Sequence, residues 1–219
     1  MPRQARAIAT RETIVRAAGV VFSRTSYSAS TMAEVIEEAG VTQGAIYFHF
    51  TSKQDLALEV IKRQHRISIG AGEDFLRDGT PGLEAIVLLS AELAHQITTN
   101  AIVRGGLRLS TESADLFPAD EVRQPYVDWT DATERLLRRA SQEGDVKEDI
   151  DCGVAAKVVI SAFTGTQMVS QAVSGRTDLS ERLEEMWALL IPALVAPGRA
   201  AAFENVARLV RSRMAIAKH

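Results

Sequence analysis

Between positions 42 and 53 the chain sets out Thr42, Gln43, Gly44, Ala45, Tyr47, His49 and Lys53. The primary amide of Gln43 matches the N6/N7 edge of adenine, where donor and acceptor lie side by side in the major groove. Gly44 and Ala45 are small enough to let a backbone come close to base edges. Lys53 carries a cation that attracts phosphate, and Tyr47 and His49 carry polar rings beside these groups. No covalent chemistry is suggested by this set; it is a set that binds.

Residues 31–50, TMAEVIEEAGVTQGAIYFHF, supply the elements that would position these groups. Thr31 and Glu34 form a capping box that starts a first short helix. Met32, Val35, Ile36 and Ala39 fall on one apolar face at helical period. Gly40 closes that helix where a left-handed residue is needed. Thr42 then offers its hydroxyl as the cap of a second helix. Two short helices joined by a tight turn are the parts of a helix-turn-helix. The competing reading is an ordinary helical hairpin in a core. Against it, Tyr47, Phe48, His49 and Phe50 are consecutive rings, and no helix buries four neighbours on one side.

The flanks agree. Ser52 and Asp55 form another capping box, so Lys53 stands at the N-terminus of a further helix, where exposed N–H groups attract phosphate. Residues 1–30 hold Arg3, Arg6, Arg11, Arg16 and Arg24 against one acid, Glu12. Such a basic arm, with Arg3 and Arg6 unordered until DNA arrives, suits phosphate or minor-groove contact; a frayed, solvated terminus is the plainer reading.

The chain has 219 residues, 46% hydrophobic and 24% charged, with a formal net charge of −3. Charge is distributed unevenly: residues 1–65 carry a net +2 and the remainder −5. The positive part is the part with the helix-turn-helix. One cysteine, Cys152, permits no internal disulfide and fits a reducing cytoplasm. No apolar run long enough to span a membrane is expected, and the N-terminus lacks the apolar core of a signal peptide.

Periodicity predicts helices at 9–24, from Ser52 to about Asp78, at 83–99, 101–113 and 126–144, from Asp151 to about 173, from Asp178 into Pro192, and in the tail. Nothing alternates convincingly at period two, so the fold class is all-α. The expected division is a DNA-binding helix-turn-helix domain over 1–52 and a larger ligand-binding and dimerisation domain over 53–219. The helices at 151–173 and 178–196 are apolar over more than one stripe, which demands burial on two sides. One side can meet its own chain and the other a second copy, making a two-fold homodimer. A central helix in a monomer is the alternative.

GVTQGAIYFHFTSKQDL, at the heart of residues 10–60, resembles the DNA-binding domain of TetR-family repressors. VRGGLRLSTE (103–112), PYVDWTDATERLL (125–137), FTGTQMVSQAVSG (163–175) and LIPALVAPG (190–198) extend the resemblance to the actinobacterial γ-butyrolactone-type autoregulator receptors. The resemblance implies base contacts from Thr42, Gln43, Gly44 and Ala45. It implies phosphate contacts from Thr31, Tyr47, His49 and Lys53. Many members of that branch carry lysine where this chain has Gln43, so the operator should differ at one base. Trp129 matches the tryptophan that covers the bound signal molecule, with Gln64 and Thr164 as candidate polar partners and Leu88 and Val158 as candidate pocket walls.

Three functions follow for comparison. The first is a cytoplasmic repressor that binds palindromic operator DNA as a homodimer and is released by a γ-butyrolactone, butenolide or similar inducer. The second keeps the DNA role but answers another small molecule, such as an antibiotic. The third is an enzyme of small lactones, for which no G-x-S-x-G, H-E-x-x-H, C-x-x-C or phosphate-binding glycine loop is present. No cofactor is expected, and His49, His65, His95 and His219 show no metal-ligand spacing.

Overall fold

The computed structural model describes residues 3–77 and 79–216. Ten helices follow one another there: α1 (Arg3–Arg24), α2 (Met32–Ala39), α3 (Gln43–His49), α4 (Lys53–Arg77), α5 (Gly82–Thr99), α6 (Ala101–Glu112), α7 (Ala119–Gln142), α8 (Cys152–Ser174), α9 (Leu179–Leu194) and α10 (Leu209–Ile216). Among the described residues no strand occurs, only a single antiparallel bridge between Val146 and Val195. The all-α expectation therefore holds. Asp78 and His219 lie outside the described residues.

Two boundaries differ from the sequence reading. α1 begins at Arg3, so the basic arm has helical backbone instead of an unordered one. α7 begins at Ala119, ahead of Tyr126, and runs through a buried Pro125. Asp120 and Glu121 in its first turn complement the helix dipole, and proline's fixed φ fits a helix at the loss of one hydrogen bond.

The chain packs as two compact units, one of residues up to Ser68 with Gln96–Pro125, the other of Ile69–His95 with the residues from Tyr126 onward. This division by packing takes α6 and the first half of α4 into the unit that holds the helix-turn-helix. The division by role drawn from the sequence falls earlier, at residue 52.

In the first unit Ile14, Ala18 and Phe22 of α1 meet Val35, Ile46, Phe50, Leu56, Val60 and Leu109 in one core. α1 and α6 touch backbone to backbone. A Cβ on Gly19 would lie 2.8 Å from the Ile102 Cα, and one on Gly105 would lie 2.6 Å from the Gly19 carbonyl oxygen. Gly106 is pressed as closely on α4, 2.5 Å from the Gln64 Cβ by the same measure.

In the second unit α5, α7, α8, α9 and α10 share a core that includes Leu83, Leu136, Val159, Leu183 and Val210. Trp187 is fully buried there and its indole N–H donates to Ser90 Oγ at 2.7 Å. α8 is long and apolar enough by composition to cross a membrane, which the sequence reading did not anticipate. Its sides divide the load. Ala155, Ala156 and Val159 join the core, while Val154, Val158, Met168, Val169 and Val173 remain exposed. Gly175 and Arg176, both at positive φ, turn the chain from α8 toward α9. Asp178 pins this corner by accepting from Ser170 (2.5 Å), Ser174 (2.6 Å) and Arg182 (2.7 Å). Those hydroxyl hydrogen bonds, then the guanidinium, draw its pKa down to about 2.

Two outcomes are expected. Gly105→Ala should destabilise the chain by about 1–3 kcal/mol, because the new methyl meets backbone that cannot move aside; the urea midpoint reads it. For Asp178, folding lowers the pKa, so its contribution is complete above the unfolded value near about 4 and is lost as pH falls toward 2. Asp178→Asn should therefore flatten the fall of stability in that acid window, measured as urea midpoints against pH.

Candidate nucleic-acid interface and ligand-binding residues

The helix-turn-helix forms as its caps require. Thr31 Oγ accepts from the Glu34 N–H at 3.2 Å, and the Glu34 carboxylate accepts from the Thr31 N–H at 2.6 Å. Gly40 takes φ 62° and ψ 31°, and its N–H closes α2 on the carbonyls of Ile36 and Glu37. Thr42 Oγ accepts from the Ala45 N–H at 3.2 Å, starting α3. Ile46 and Phe50 face the core at 0% and 2% exposure and fix which side of α3 looks outward.

That outward side carries most of the expected contacts. Thr42, Gln43, Gly44 and Tyr47 are exposed, and Ala45 and His49 are half-exposed. A Cβ on Gly44 would meet nothing within 4 Å, so its lack of a side chain answers no need of the fold. Phe48, which sequence reasoning passed over, stands 78% exposed with its ring edge-on to His49 at 5.0 Å.

Two expected phosphate contacts prove to be engaged within the chain. The Lys53 ammonium donates to the Tyr27 and Ser30 carbonyls at 2.6 and 2.7 Å and lies 4.3 Å from the centre of the Tyr27 ring. It holds the loop between α1 and α2 against the start of α4. Burial pushes the Tyr27 hydroxyl pKa up in the same place. Thr31 gives both its N–H and its hydroxyl proton to Glu34, so neither points at a phosphate. The physical reason is common to both: near a helix start, carbonyls and a carboxylate of the chain compete with DNA for the same donors. The helix signal at Ser52 concealed this, because the partners of Lys53 are more than twenty positions away.

Of the basic arm, Arg6 and Arg16 are exposed. Arg11 is turned to Glu59 at 2.9 Å and lies over the Phe50 ring; the hydrogen bond to Glu59 raises its pKa. The Arg3 side chain lies outside the described residues.

The ligand candidates divide between the units. Gln64, in the first, is 1% exposed and donates to Ser68 Oγ at 3.3 Å, while its Oε1 is buried without a partner. That oxygen is an acceptor, suited to a ligand hydroxyl. In the second unit Trp129 on α7, Leu88 on α5 and Thr164 on α8 are each half-buried. Trp129 packs edge-on to Tyr126 at 5.3 Å. Val158, expected as a pocket wall, is 49% exposed on α8. Two open hollows in this unit are lined by other residues. One, of about 430 Å³, is apolar and lies between α9 and residues 200–207. The other, of about 580 Å³, is lined largely by charged residues of α7.

A helix-turn-helix with an exposed reading face, carried on an all-helical chain, defines a DNA-binding regulator. Residues 14–60 match the bacterial regulatory proteins of the TetR family, and residues 80–196 match a tetracyclin repressor-like C-terminal domain. The A-factor receptor protein of Streptomyces griseus is 37% identical over 198 residues, which cover 90% of this chain and 68% of that protein. A solved γ-butyrolactone receptor described as ArpA-like superposes with a TM-score of 0.82 at 33% identity, over 94% of this chain and 98% of the other. CprB from Streptomyces coelicolor, solved with its biological operator sequence, superposes with a TM-score of 0.77 at 35% identity, over 94% of this chain and 99% of the other. This chain belongs to the TetR family of bacterial regulatory proteins.

Lys53→Met should cost about 2 kcal/mol of stability through the lost charged hydrogen bonds, read by thermal or urea unfolding. DNA binding should weaken for all sequences with the salt slope unchanged. A slope lower by about one, at unchanged stability, would return Lys53 to a phosphate.

Proposed function

We propose that this chain is a transcriptional repressor that binds a palindromic operator as a homodimer and releases it on binding a γ-butyrolactone-type signal. The observation that carries the reading is the joint one. An exposed, capped reading helix sits in a chain that is similar along nearly its whole length to the A-factor receptor protein. Such a regulator acts in the cytoplasm, where its DNA is, and has no catalytic step.

The homodimer is supported by the outward apolar face of α8 and α9. Val154, Val158, Met168, Val169, Val173 and Leu189 are each 47–79% exposed. Residues of this kind are costly to leave in water, and a two-fold copy buries the same set twice. Two reading helices then address two half-sites one helical turn apart.

The signal site is supported by the contrast between the two tryptophans. Trp187 is fully buried with its N–H satisfied, so it serves the core. Trp129 is half-buried and lies on the same side of α7 as Leu136, two turns further on, which is anchored at 0% exposure. Its indole is an apolar wall fit for a lactone with an alkyl tail. Leu88 and Thr164, half-buried in the same unit as Trp129, are the further candidates for this site. α4 contributes residues both to the reading unit and to the second unit. A signal that prefers a shifted α4 would change the spacing of the reading heads. A coupling of about 1–3 kcal/mol weakens operator binding 5–150-fold.

The test is titration of lactone and butenolide panels into the protein–operator complex, followed by anisotropy. Release by one class of lactone at low concentration supports the reading; release by none of them refutes it. Trp129→Ala should hold its operator with near-native affinity and fail to release it at signal concentrations that free the native protein. A variant with a lower melting temperature that still lets go would make Trp129 a packing residue.

A further inference from the structure

Phe48 is at odds with its surroundings. Among the described large apolar side chains of the first unit it is the most exposed, at 78%, against 57% for Ile8 and 47% for Tyr47. Two positions away on either side, Ile46 and Phe50 face the core. On α3 the ring falls one turn after Gly44, so the two share the outermost stripe of the helix. Gly44 is itself exposed with open space where a side chain would go. The stripe therefore presents a gap followed by a flat apolar ring, with the Gln43 amide beside them. His49, edge-on to the ring at 5.0 Å, limits its swing.

Resting on the DNA-binding reading above, we propose that Phe48 determines operator sequence by packing against the 5-methyl group of one thymine in each half-site. The major groove offers polar edges at every base pair and one apolar projection, the thymine methyl. A ring in that groove gains nothing from polar edges and gains about fourfold in affinity from burying one methyl, the value of a single buried CH₂. The gap at Gly44 lets the helix seat deeply enough for the ring to arrive. Gln43 and Phe48 then read two different features, an adenine edge and a thymine methyl, from one helix.

The experiment uses a duplex selected from random sequence by the native full-length protein. Each thymine of a half-site is replaced in turn by deoxyuridine, symmetrically in both halves, which removes only the methyl. Expected is one position at which the native protein loses roughly fifteenfold, two methyls together. Phe48→Ala should be indifferent to that replacement, and Phe48→Leu, still apolar, should retain much of the sensitivity. Gln43→Ala should keep the sensitivity and lose preference at another base. The melting temperature of Phe48→Ala should equal the native value, since the ring is exposed. Selected sites without thymine, indifference of the native protein to every replacement, or equal losses in Phe48→Ala would each overturn the proposal. A uniform weakening of Phe48→Ala on all duplexes would place the ring on the sugar–phosphate backbone and overturn it too. If the native protein selects no sequence at all, the DNA-binding reading falls first and the thymine contact with it.

Discussion

Everything in the reading unit depends on α1 and α6 meeting with no side chain between them. At Gly19 and Gly105 the two backbones approach to distances that a single methyl would forbid. Helices this close are registered against one another, since a slide along either axis brings Ile102 or a larger neighbour into the gap. α1 then sets the rest. Its Ile14, Ala18 and Phe22 form the floor on which α2 and α3 rest through Val35, Ile46 and Phe50. The outward face of α3 is thus decided by a contact made on the far side of α1.

The surface of the helix-turn-helix shows a division of labour among polar groups. Some donors that look available in a list of residues are already in use: Lys53 holds two loop carbonyls, and Thr31 holds Glu34. Others are placed where the fold has no claim on them, including the Gln43 amide, the space at Gly44 and the ring of Phe48. A residue that contributes nothing to its own chain and is exposed at some cost is the better candidate for contact with a partner. That criterion moves Lys53 toward structure and Phe48 toward recognition.

α8 illustrates the same logic at the scale of a helix. Its composition alone would satisfy a bilayer. In the fold one side is absorbed by α9 and the core, and Ser170, fully buried, hydrogen-bonds Asp178 at the corner. The remaining side, from Val154 to Val173, is the surface a second copy would cover. The corner fixes the splay of α8 and α9, and with it the shape of that surface.

The helices, their caps and the reading segment were determined by the sequence, because each rests on interactions within four or five positions. Thr31 with Glu34, the left-handed Gly40, Thr42 with Ala45 and Asp151 at the head of α8 are all of this local kind. The resemblance of 10–60 and of the four later segments to a family was legible for the same reason. What only the tertiary structure decided were the partners of side chains that act at a distance. Lys53 faces inward because Tyr27 and Ser30 come to it from another loop. Gln64 gives one amide hydrogen to Ser68 and holds its Oε1 buried without a partner, with Gly106 pressed against its Cβ. Val158 faces outward, although its periodicity allowed either side, while Ala155, Ala156 and Val159 are the residues that meet the core. A pattern along the chain specifies which residues share a face; which face is covered, and by what, is settled only when the elements compete for the same neighbours.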